Sequence, residues 1–118
     1  MAEAIARRTL GNTFCVQSAG IEASDGAPAA RHAIVVMEEK ALNIRGHTAR
    51  GIDKIDVSAF DVIVAMDPTI AESLRSRGTD PTKVIELNIP DPIGKSLDCY
   101  RATADAIALE IQRIFPTK

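Results

Sequence analysis

A rigidly held carboxylate stands out in the stretch "NIPDPIGKSLDCYRATADAI", Asn88 to Ile107, where Asp91 lies between Pro90 and Pro92. Each proline fixes its own φ and drives the residue before it toward extended backbone, so the carboxylate is held in a stiff loop ahead of an amphipathic helix. A carboxylate held this way can pass a proton at a fixed place, although Asp and Pro are also the ordinary residues of a turn. The other reactive side chains are two thiols, Cys15 and Cys99. They are far apart in sequence with no metal-ligand spacing, and they read as buried, reduced thiols of a cytoplasmic protein rather than as nucleophiles.

The elements around these residues alternate. "MAEAIARRTL" is rich in helix formers and is stopped by Gly11-Asn12, which predicts a short helix. "TFCVQS" predicts a strand and "AGIEASDGAP" a loop. "PAARHAIVVMEEKALN" predicts a helix with Pro28 near its first turn and an apolar stripe of Ala30, Ile34, Met37 and Leu42. "DKIDVSAF" predicts one short helix. "DVIVAM" is a continuous apolar run of strand length, as expected of a strand covered on both faces. "DPTIAESLRSRG" carries Asp67 as N-cap, Pro68 at the first helical position and Gly78 as the stop. "KVIEL" predicts another strand. From Ser96 to Phe115, Leu97, Tyr100, Ala104, Ile107, Ile111 and Ile114 recur every three or four residues, which places Tyr100 in the core.

The order α-β-α-α-β-α-β-α predicts an α/β fold in three layers, with helices on both faces of a parallel sheet, formed by residues 1–118 as a single domain. In such sheets function gathers at the carboxyl ends of the strands, where Ser18-Ala19-Gly20, Met66-Asp67 and the Asp91 loop fall. A formal net charge of −2 and a pI near 5.6 argue against nucleic-acid or anionic-membrane partners. No apolar run reaches the roughly 20 residues of a membrane span. Aromatic residues make up only 3% of the chain, so the core has to be aliphatic.

"MAEAI" at the start, "SAG" after the first strand, "HTAR" at 47–50, "VAMD" at 64–67 and "DPIGKSLDCY" at 91–100 together resemble the low-molecular-weight protein-tyrosine-phosphatase family. The resemblance implies phosphomonoester hydrolysis through a phosphocysteine. A cysteine thiolate attacks phosphorus from a loop whose backbone N–H groups and arginine hold the phosphate oxygens, and an aspartate in the D-P loop protonates the leaving oxygen and then activates water. By resemblance Asp91 is that general acid and base. Ser18 and His47 match positions that brace the phosphate loop; taken alone, Ser18 also suits a strand end and His47 a cap. Asp67, before Pro68, reads as an N-cap rather than a catalytic group. The resemblance implies no metal and no cofactor, and a phosphoprotein or free oxyanion as partner.

The family signature begins with a strand and Cys-x5-Arg-Ser-Pro ahead of "MAEA", and this sequence opens at that Met. No other Cys-x5-Arg occurs, since Ile21 and Asp105 occupy the arginine position after Cys15 and Cys99. The expectation is an N-terminally truncated domain, inactive as it stands, arising from an internal start or from a genuinely shortened pseudoenzyme. Because the absent strand would lie inside the sheet, a gap of roughly 9–10 Å with unpaired backbone is expected to close. It would do so by direct pairing of the flanking strands, by dimerisation, or by helices repacking around three strands. The alternatives in function are a non-catalytic, dimerising binding module and, last, an arsenate reductase relative, which would need a cysteine pair near the site. Tyrosine-specific members carry an aromatic residue after the D-P pair; Ile93 and Gly94 stand there, which leaves phosphoarginine and other phosphoesters open.

Overall fold

The computed structural model describes residues 1–21 and 26–116. Its elements are α1 (Ala2–Leu10), α2 (Arg31–Glu39), β1 (Ile63–Ala65), α3 (Pro68–Ser76), β2 (Val84–Glu86) and α4 (Leu97–Ile114). β1 and β2 pair in parallel with Ile63 opposite Val84 and Ala65 opposite Glu86. The ladder continues past the strand ends, where Leu87 N–H donates to the Ala65 carbonyl at 2.8 Å and Ile89 N–H to the Met66 carbonyl at 2.9 Å.

Alternation along the strands builds three layers. Val64, Met66 and Ile85 face a large aliphatic cluster made by α1, α2 and α4, including Ile5, Val36, Met37, Ala104, Ile107 and Ile111. Ile63, Ala65 and Val84 face α3, where Ala71 and Leu74 are buried. Tyr100 is the one aromatic residue in the buried core, as its place on the α4 stripe predicts.

Local chemistry sets the helix ends. Asp67 caps α3 by accepting the Ile70 N–H at 2.8 Å, and Pro68 follows at the first helical position. Ser96 caps α4 through the Cys99 N–H at 3.2 Å. α3 ends in a Schellman turn, with Thr79 N–H to the Leu74 carbonyl and Gly78 N–H to the Arg75 carbonyl, and Gly78 takes φ +85°. α2 ends the same way: Leu42 N–H meets the Met37 carbonyl, Ala41 N–H meets the Glu38 carbonyl, and Ala41 takes φ 61°. Arg8 of α1 donates to the Lys40 and Ala41 carbonyls at that turn.

Several expectations are corrected. "TFCVQS" is not a strand: Gly11–Thr13 form a 3-10 turn, and residues 14–18 hold no ladder pair among the described residues. An extended segment becomes a strand only by pairing, and among the described residues β1 pairs with β2 alone, so the flanking strands have not closed up and the described sheet has two strands rather than three. Cys15, expected to be buried, is exposed for the same reason, and Cys99 is half-buried. Pro28 is outside α2, in an isolated antiparallel bridge to Thr48. Of the expected stripe, Met37 is buried and Ile34 and Leu42 pack partly buried against the core, while Ala30 is exposed and Ala33 and Val36 are buried in addition. "DKIDVSAF" forms two 3-10 turns, Ile52–Lys54 and Val57–Ala59, the second capped by Asp56, instead of one helix. Residues 22–25 of the expected loop are outside the described residues.

Candidate active site

The loop after β2 carries Asp91. Ile89 and Pro92 are buried, and Ile89 is tied to the end of β1, so the loop is pinned on both sides of the carboxylate. Asp91 Oδ1 accepts the Ile93 N–H at 3.0 Å, an Asx turn. A second turn closes behind it, from Lys95 N–H to the Pro92 carbonyl at 2.9 Å, and Gly94 at φ +75° supplies the left-handed residue. The Asp91 side chain is exposed, and Ile93 beside it is 71% exposed. Tyr100, in the first turn of α4, has its ring edge-on to His32 at 5.5 Å. Burial, and secondly the Asp91 carboxylate, push the Tyr100 hydroxyl above the usual phenol range.

Ser18 and His47 are joined through a residue that sequence reasoning did not single out. Glu3, in the first turn of α1, accepts the Ser18 hydroxyl at 3.0 Å. His47 Nδ1 and Arg7 Nη1 each lie 3.6 Å from its other oxygen. The Glu3 side chain is only 15% exposed, so its carboxylate is largely withdrawn from water and depends on these partners. His47 is brought there by the loop after α2, which Gly20 ties down by donating to the Arg50 carbonyl at 2.9 Å and accepting the Ile52 N–H at 3.0 Å. Arg7 also donates to the Val16 carbonyl, from Nη2 at 2.8 Å and Nε at 3.2 Å.

Two groups result. Ser18 and His47 meet on Glu3, while Asp91 accepts the Ile93 N–H and acts electrostatically on Tyr100. Asp67 is engaged as a cap. The sequence carried one hint of Glu3, its i,i+4 spacing to Arg7, but that spacing reports only a helix-surface ion pair.

The α/β fold thus places an exposed, pinned aspartate after β2 and a serine–glutamate–histidine cluster beside α1. The sequence matches the family described as low molecular weight phosphotyrosine protein phosphatase over residues 1–117, and the chain belongs to that family. It is 30% identical over 114 residues to a probable low-molecular-weight protein-tyrosine-phosphatase EpsP of Ralstonia nicotianae, covering 91% of this chain and 78% of that one. It is 33% identical over 119 residues to an arsenate reductase of Brevibacillus brevis, covering 99% and 84%. Among solved structures, the low molecular weight protein tyrosine phosphatase from T. tengcongensis superposes with a TM-score of 0.86 at 27% identity, covering 96% of this chain and 86% of that one. No described helix is long and apolar enough to cross a membrane.

Proposed function

We propose that these 118 residues carry the acid–base and bracing part of a phosphomonoester-hydrolysing site, and that the chain by itself does not turn over. In this reading Asp91 protonates the leaving oxygen and then activates the hydrolytic water. Its loop supports the role: a proton donor must stand within hydrogen-bond reach of the reacting atom, and a small misplacement is costly in rate. Ser18, Glu3 and His47 form a brace that would hold a phosphate-binding loop from behind.

The observation that carries the proposal is the pairing of a family match over residues 1–117 with the lack of any Cys-x5-Arg in the sequence. Where catalytic groups act as a unit, losing the nucleophile removes on the order of 10⁶ in rate. Neither thiol substitutes, because the residue six positions after Cys15 is Ile21 and that after Cys99 is Asp105. Intact-mass and peptide mapping after incubation with a phosphomonoester tests this. No phosphocysteine is expected, and an adduct formed rapidly on Cys15 or Cys99 would refute it. For substrate, exposed Ile93 gives no aromatic wall after the D-P pair, which favours phosphoarginine and other phosphoesters beside phosphotyrosine.

Two other readings each have one supporting observation. Relatives named arsenate reductase, 33% and 31% identical, favour arsenate reduction, but Cys15 follows α1 while Cys99 sits in the first turn of α4, and both are free thiols. The edge of β1 that has no strand partner among the described residues favours a binding module completed by a second copy, which sedimentation would detect as a dimer.

A further inference from the structure

The segment between Gly11 and Ser18 lacks a sheet partner among the described residues, yet it must present Ser18 to Glu3. One side chain joins α1 to this segment at its midpoint. Arg7 turns Nη2 and Nε to the Val16 carbonyl, at 2.8 and 3.2 Å, while its Nη1 stays 3.6 Å from Glu3. A backbone carbonyl that a neighbouring strand would otherwise engage is met by a guanidinium fork. The same arginine therefore touches the acceptor of the Ser18 hydroxyl and the backbone two residues before Ser18.

We infer that Arg7 is a positioning residue, a clamp that fixes Val16–Ser18 against α1 so that the Ser18 hydroxyl reaches Glu3. Its functional sense rests on Ser18 bracing the site as proposed above. The clamp itself is a matter of geometry. Two of the three guanidinium nitrogens are needed at one carbonyl and the third at a carboxylate, which a single ammonium cannot reproduce. Lysine at this position would keep the charge pair with Glu3 and lose the fork.

The test compares wild type, Arg7→Lys and Arg7→Ala by NMR on the 118-residue chain. In both variants the Val16 carbonyl carbon and the Ser18 amide are expected to shift. Exchange at the Gly20 amide should rise about tenfold, the low end of what a hydrogen bond to a charged donor is worth. Amides in the middle of α4, such as Ile107, should exchange as in wild type. Lysine restoring the wild-type spectrum would overturn the clamp, because charge would then suffice. Equal acceleration at Ile107 and Gly20 would also overturn it, since the effect would be global stability. None of these readouts depends on phosphate or turnover, so the clamp and the functional reading can fail separately.

Discussion

The Ser18 hydroxyl donates to Glu3 Oε1 at 3.0 Å, which joins a loop that follows an unpaired segment to the first turn of α1. That bond, with His47 and Arg7 near the other carboxylate oxygen, makes Glu3 the centre of the cluster proposed to brace the site. Truncating Glu3 to Ala should destabilise the fold by about 1–2 kcal/mol in urea unfolding, because the half-buried Ser18 hydroxyl loses its acceptor and Arg7 loses a neighbouring carboxylate. A double-mutant cycle with Ser18→Ala should give a coupling of about 1 kcal/mol, and strict additivity would show that the contact contributes nothing.

Asp67 is bound to the α3 N-terminus rather than to chemistry. Asp67→Ala should cost about 1 kcal/mol and Asp67→Asn much less, measured from urea midpoints. A large loss in the Asn variant would point to a role for the charge beyond capping.

α2 and α3 end in the same turn, one with Ala41 and the other with Gly78 at the left-handed position. The methyl of Ala41 strains that conformation by roughly 1–2 kcal/mol, while glycine frees the unfolded chain by roughly 0.4–1 kcal/mol. Ala41→Gly should therefore raise stability by about 0.5–1 kcal/mol in a thermal melt. A lower melting temperature would mean that the strain at Ala41 is smaller than the unfolded-state freedom that glycine adds.

Tyr100 gives the pH dependence. Its pKa is raised above 10.0, first by burial and then by Asp91. The unfolded phenol ionises first as pH rises, so the stabilisation is complete below about pH 10 and is lost as pH climbs toward the folded pKa. Asp91→Asn removes the second cause and should lower the Tyr100 midpoint. Ultraviolet titration reads this directly, since the chain has one Tyr and no Trp. An unchanged midpoint would show that the two groups do not interact.

Much of this was legible wherever the signal is local. The cap at Asp67, the Gly78 stop and the α4 stripe depend on near neighbours in sequence and appear as expected, whereas in "DVIVAM" only Ile63–Ala65 form the strand, with Ala65 buried and Val62 exposed. The expected strand at "TFCVQS" fails because strand identity belongs to a pair, and its composition carries no information about the partner. The two 3-10 turns in "DKIDVSAF" follow from Asp56, which captures the Ser58 N–H and hydroxyl and breaks helical continuity. Of the candidate site, the flanking prolines singled out Asp91 as a rigidly held residue, but its role, like those of Ser18 and His47, came through resemblance. Glu3 was not, because an acidic residue in a first helical turn is ordinary dipole chemistry and its partners come from positions 18 and 47.

The most direct test is para-nitrophenyl phosphate hydrolysis by the purified 118-residue chain, with Asp91→Asn as its pair. The prediction is that both proteins release nitrophenol at the rate of buffer. Clear turnover by the parent chain, abolished in Asp91→Asn, would show that a nucleophile is at work within these residues and would contradict the proposal.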